Sequence, residues 1–144
     1  MQVAVANHQR QTRVNLAGMR RLARRAVRHL RIRQRGTFAI AFVDSDTLRK
    51  LNKQFKHHDR DTDVLSFRYD GEALVGEVLI SPRQARRYAA AHGVPYTEEL
   101  SRYVVHGLLH WLGHEDRTRT QQAKMRRMED RLLGSCSVVN PSAR

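Results

Sequence analysis

The segment that most narrows what this chain can become runs from Val104 to Leu112, V-V-H-G-L-L-H-W-L. Val104, Val105, Leu108, Leu109 and Leu112 leave little room for a polar face, so as a helix it has to be covered on most sides. His106 and His110 are four residues apart and would project from one face of that helix. Two imidazoles on a mostly buried helix need partners, because an unpaired polar group removed from water costs about 1–3 kcal/mol. The rest of the chain must therefore supply both a cover for the helix and a chemical reason for the histidines.

The cover can be read from periodicity. Gln2 to Ala6 reads as a short strand and Asn15 to Leu30 as an amphipathic helix, with Leu16, Met19, Ala23, Ala26, Val27 and Leu30 on one face. Thr37 to Val43 reads as a buried strand, with the larger Phe38, Ile40 and Phe42 on one side and Ala39 and Ala41 on the other. Asp44-Ser45-Asp46 starts a helix carrying Leu48, Leu51 and Phe55. Lys56 to Asp61 reads as a polar loop. Val64 to Tyr69 and Val75 to Ser81 read as a hairpin turning at Asp70-Gly71. Ser81-Pro82 opens a helix that ends at Gly93, and Thr97, Glu98 and Glu99 open the histidine helix, which stops at Gly113. A last helix is expected from Thr120 to Leu133, ending at Gly134. The expectation is one α+β domain over residues 1–134, a small mixed sheet of about four strands packed with about five helices, followed by a flexible tail at 135–144.

Charge sets the class of partner. The formal net charge is +13, and ten arginines precede the first acidic residue, Asp44. Arg20, Arg24 and Arg28 lie on the polar face of the first long helix and are the candidate contacts to a polyanion such as a nucleic acid, since neutralising phosphates releases condensed counterions. The single cysteine, Cys136, has no partner for an internal disulfide, and no apolar run is long enough to cross a bilayer. These features lead us to expect a cytoplasmic protein with no membrane association.

Spacing sharpens the histidine segment. H-x-x-x-H-x-x-G-x-x-D resembles the extended zincin pattern, in which a glycine turns the chain so that a third ligand swings back. Gly113 is that glycine and Asp116 falls at the third position; His114, one residue past the turn, is the rival. A nitrogen and oxygen donor set suits one Zn²⁺ per chain with a position left open for water. Gly107 stands where metallopeptidases of the H-E-x-x-H class carry their glutamate base, which disfavours peptide hydrolysis. His57 and His58, in a polar loop, read as solvated, and Trp111 reads as core.

Four strings taken together resemble the YbeY family of endoribonucleases: L-N-K-Q-F at 51–55, D-R-D-T-D-V-L-S-F at 59–67, G-E-V-L-I-S at 76–81 and H-G-L-L-H-W-L-G at 106–113. The resemblance runs from Phe42 to about Met128. It implies a zinc-dependent endoribonuclease preferring single strands, acting on ribosomal RNA near the 3′ end of the small-subunit RNA and in ribosome quality control. The partners implied are RNA, above all ribosomal RNA, and the ribosome or its associated proteins. Two positions depart from the family pattern: the common third histidine ligand is Asp116 here, and the usual loop arginine is Lys56. Lysine keeps the charge and loses the bidentate fork. Lys56 is the candidate for meeting phosphate, and Glu115 for proton transfer. The alternatives are a zincin-type metallopeptidase, or a ribosome-associated module with a structural, non-catalytic zinc.

Overall fold

The computed structural model describes residues 1–56, 64–71 and 73–136. In chain order these form β1 (Gln2–Asn7), α1 (Leu16–His29), β2 (Thr37–Phe42), α2 (Ser45–Lys56), β3 (Val64–Arg68), β4 (Leu74–Ile80), α3 (Pro82–His92), α4 (Tyr96–Trp111) and α5 (Arg119–Cys136). The α+β expectation holds, with four strands and five helices among the described residues.

The sheet order is β1-β2-β4-β3. β1 pairs parallel to β2 and β2 parallel to β4, while β3 runs antiparallel against β4. Parallel neighbours need a crossover, which α1 supplies between β1 and β2. The alternation along β2 then sorts the two faces as its residue sizes suggest. Phe38, Ile40 and Phe42 enter the main core with Val78 and Ile80 of β4 and the buried sides of α1, α4 and α5. Ala41 faces the other way, into a smaller cluster of Val43, Leu48, Leu65 and Leu79 under α2. Val104, Val105, Leu108 and Leu109 of α4 are all essentially inaccessible; each such side chain contributes about 1.5–3 kcal/mol relative to exposure.

Local chemistry explains most helix ends. Asn15 Oδ1 accepts from Gly18 N at 3.0 Å to cap α1, Ser81 Oγ accepts from Gln84 N at 3.2 Å to cap α3, and Gly93 closes α3 at φ 65°. Three ends differ from expectation. α4 begins at Tyr96, with Pro95 in the cap position and no side-chain cap, so Thr97 sits inside the first turn. α5 begins at Arg119 because Thr118 and Gln121 form a reciprocal capping box: Gln121 N donates to Thr118 Oγ1, and Thr118 N to Gln121 Oε1, each at 3.1 Å. Gly134 does not end α5, whose backbone stays helical through Ser135 to Cys136. A glycine inside a helix costs about 1 kcal/mol, which the burial of Leu132 and Leu133 offsets. The remainder of the expected tail, 137–144, lies outside the described residues, as do most of the expected 56–61 loop and His57 and His58.

Candidate metal centre

Strands β3 and β4 hold α4 at successive points. Ser66 Oγ donates to the Gly107 carbonyl at 3.2 Å, and Trp111 Nε1 donates to the Val75 carbonyl at 3.0 Å. Arg68 donates to the Trp111 carbonyl and lays its guanidinium over the indole, 4.7 Å from the ring centroid. Trp111 is a core residue, as its place in the sequence suggested, and packs on Phe38 at 5.1 Å. Two glycines permit the close approach. A Cβ on Gly76 would enter the Trp111 indole, and a Cβ on Gly107 would lie 2.5 Å from Val78 Cγ1. Position 107 therefore faces the sheet; packing already requires glycine there, and no side chain from it reaches the histidine face.

At its C-terminus α4 ends in a Schellman turn. Gly113 N donates to His110 O at 2.9 Å and His114 N to Leu109 O at 3.1 Å. Gly113 has φ 104°, a conformation that excludes most side chains. The turn sends the chain back across the histidine face, where Gln122 Nε2 donates to the Asp116 carbonyl at 3.1 Å and Gln121 Oε1 accepts from Arg117 N at 2.9 Å. Asp116 is thereby delivered to both imidazoles: Oδ2 lies 3.5 Å from His106 Nε2, and Oδ1 lies 3.3 Å from His110 Nε2.

The donor set fits a divalent cation. One ligand atom from each of His106, His110 and Asp116 lies within 4.8 Å of the others. A tetrahedral centre with bonds of about 2.0–2.1 Å would separate neighbouring ligand atoms by roughly 3.3–3.4 Å; each imidazole lies about that far from one oxygen of Asp116, His106 from Oδ2 and His110 from Oδ1. The three side chains keep 26%, 31% and 37% of their surface exposed, so the cluster has an open side. Burial, followed by the neighbouring His106, lowers the His110 pKa from its ordinary 6.5, against the opposing pull of Asp116. That favours the neutral, ligating form at neutral pH.

Behind the cluster stands a pair of residues that sequence reasoning missed. Glu129 of α5 is 4% exposed, and its Oε2 lies 2.6 Å from His106 Nδ1. Its Oε1 accepts from Arg102 Nη1 at 2.9 Å, while Arg102 Nη2 donates to Asp130 at 2.9 Å. Burial alone would lower the Arg102 pKa, but the two carboxylates outweigh it and hold the guanidinium above its usual value. One signal was available: Glu129 interrupts the apolar stripe Met125, Met128, Leu132 of α5, and a carboxylate on a buried stripe needs a partner.

Other candidates fall elsewhere. His114 is half-buried and outside the three-residue cluster. The Glu115 carboxylate is exposed, lies 3.9 Å from Arg117 and stands outside the three-residue cluster. Lys56 is the last residue of α2, and its side chain lies outside what the structure describes. Arg24 and Arg28 are exposed on α1 and Arg20 is half-buried. These three arginines share one helix, and the structure does not bring them into the histidine cluster.

Fold and site together define a class: a small α+β domain with a zincin-like His-His-carboxylate centre on a buried helix. Comparison with known proteins gives the family. The family profile described as Endoribonuclease YbeY matches residues 4–137, and the chain belongs to that family. A relative of that name from Flavobacterium psychrophilum is 37% identical over 99 residues, covering 68% of this chain and 71% of the relative. One from Salinibacter ruber is 37% identical over 107 residues, covering 67% and 68%. A Thermotoga maritima protein solved in solution shares the fold, with a TM-score of 0.66 at 23% identity over 99% of this chain and 95% of that one.

Proposed function

We propose that the chain is a zinc-dependent endoribonuclease that prefers single-stranded RNA, matures ribosomal RNA near the 3′ end of the small-subunit RNA and serves ribosome quality control in the cytoplasm. That it is an endoribonuclease follows from its family. The observation that carries the metal dependence is the convergence of His106, His110 and Asp116 on one point. When bound there, a divalent cation would supply Lewis acidity to a phosphoryl oxygen and to the attacking water. The chain's own residues do the rest. His106 and His110 offer neutral nitrogen donors, and Asp116 adds the carboxylate. Lys56, at the end of α2, supplies positive charge for the phosphate. Arg20, Arg24 and Arg28 attract the RNA backbone along α1. The net charge of +13 supports an RNA partner and, by extension, the ribosome. No helix among the described residues is long and apolar enough to cross a membrane.

The two alternative readings each lack a residue. A peptidase of the H-E-x-x-H class needs a glutamate where Gly107 meets Val78. A structural zinc site normally closes with four protein ligands, and His114 stands outside the cluster. The deciding experiment presents purified protein with single-stranded RNA and with casein, each with and without chelator, using a parallel His110→Ala preparation as blank. RNA cleavage that stops with chelator and returns with zinc is expected, with casein intact. A blank that cuts RNA as fast as the parent sinks the proposal. Lys56→Ala should slow cleavage at unchanged metal content, and Lys56→Arg should retain or raise it.

A further inference from the structure

Arg102 and Glu129 lie outside the ligand set, yet every link that joins them to His106 is short and the central carboxylate is buried. A carboxylate ion-paired to a guanidinium offers only acceptors, and arginine offers only donors. The 2.6 Å separation between Glu129 Oε2 and His106 Nδ1 is hydrogen-bond distance, so the proton on that line belongs to Nδ1. A neutral imidazole with its proton on Nδ1 leaves its lone pair on Nε2. Nε2 is the atom turned toward Asp116 and the shared ligand point.

We propose that Glu129 is a positioning residue for the metal centre: oriented by Arg102, it fixes the Nδ1–H tautomer of His106 and so presents the Nε2 lone pair to the cation. The inference rests on the metal-site reading of His106, His110 and Asp116. It places the decision about ligand chemistry on α4 in the hands of two residues, one on α4 itself and one on α5. Arg102 is one turn before His106 on the same helix, so it holds Glu129 from the ligand's own side. Asp130 occupies the second arm of the guanidinium and limits its rotation.

Donor and acceptor rules give this proposal an unusual signature. In Glu129→Gln the amide oxygen must stay against Arg102, because a guanidinium has nothing to accept a proton with. The amide nitrogen then faces His106 as a donor, which requires a bare Nδ1 and moves the ring proton to Nε2, onto the ligand atom. Adding Arg102→Met releases the amide to rotate, so its oxygen can return to His106 and restore the Nδ1–H tautomer. The double variant should therefore recover what the single one loses. A mere packing role predicts the reverse order, since the double variant has lost more contacts.

The test is nitrogen–proton long-range NMR of the histidine side chains in metal-free protein at mildly alkaline pH, alongside zinc affinity measured by competition with a chelating dye. The parent should carry its His106 proton on Nδ1. Glu129→Gln should carry it on Nε2 and bind zinc about 10–100-fold more weakly, the usual loss when such a supporting group is removed. Glu129→Gln with Arg102→Met should move back toward the parent in both measurements. A parent with the proton on Nε2 overturns the proposal even if neither variant folds. So does a Glu129→Gln protein with unchanged tautomer and affinity, or a double variant worse than the single. Should the tautomers shift as described while the parent binds no zinc, the metal-site reading itself fails, and with it Glu129's role toward a cation.

Discussion

The histidine face of α4 and the arginine face of α1 are both polar surfaces of amphipathic helices, yet they are built in opposite ways. On α4 the working atoms come from three places: the helix itself, the turn after Gly113, and α5 through Glu129. Each is tied to its neighbours by specific polar contacts, such as 2.6 Å between Glu129 and His106 and 3.1 Å between Gln122 and the Asp116 carbonyl. On α1, Arg20, Arg24 and Arg28 belong to a single element, and Arg24 and Arg28 project into solvent. In the proposed reading such a face would act through summed charge, any one arginine being replaceable by another. A localised site should fail abruptly when one residue changes, whereas a distributed field should decline by degrees.

The sharpest break is His110→Ala. Removing a ligand should cost more than the roughly 10–100-fold loss in metal affinity typical of a supporting group, and should abolish stoichiometric zinc in metal analysis. Asp116→Ala should follow closely. Full zinc occupancy in the Asp116 variant together with loss in His114→Ala would reassign the third ligand.

The next largest effect tests the packing beneath the site. Gly107→Ala forces a methyl against Val78, which is fully buried; overpacking of this kind costs about 1–3 kcal/mol. The readout is the urea midpoint at constant slope. Gly107→Glu should be destabilised further and gain no peptidase activity. A Gly107→Ala protein as stable as the parent would show that β4 and α4 are not pressed together at this point.

A smaller, graded effect belongs to α1. Replacing Arg20, Arg24 and Arg28 together with glutamine should weaken RNA binding without unfolding the protein. If each arginine meets one phosphate, the log–log salt slope should flatten by about 2, at roughly 0.7 per contact for single strands. Each single replacement should take about a third of that. If one of them accounts for the whole change, the α1 face is a site and not a field, and the comparison collapses.

The smallest effect concerns pH. Because burial and His106 lower the His110 pKa, its midpoint in metal-free protein should fall below 6.5 by NMR titration. A ligand whose pKa is lowered stays deprotonated as pH falls toward the ordinary histidine value, and protons compete only below its own midpoint. As far as His110 is concerned, zinc affinity should therefore change less than about twofold between pH 7.5 and 6.5, then decline as the solution is acidified further. A midpoint above 6.5 would mean that Asp116 outweighs burial.

How much of this was legible in the sequence depends on the range of the interaction concerned. The α3 boundaries followed from Ser81, Pro82 and Gly93, and the end of α4 from Gly113, because caps act within one turn of the chain. The two faces of β2 followed from the sizes of alternating residues. The start of α5 falls at Arg119, one residue before the expected Thr120, and its Thr118–Gln121 box is equally local. Gly134 misled, since burial of its neighbours outweighs its low helix propensity.

The sequence by itself determined which side chains could serve: two imidazoles share a helical face because the backbone repeats every 3.6 residues, and a glycine turn is readable from one residue type. Tertiary structure alone decided how they are held. Glu129 is 23 residues from His106, and Val78 and Gly107 belong to different elements, so no local pattern could pair them. Which nitrogen of His106 is turned toward Asp116, and why position 107 has no room for a side chain, are properties of three packed elements. Packing joins residues by distance in space, and the order of the chain does not record that distance.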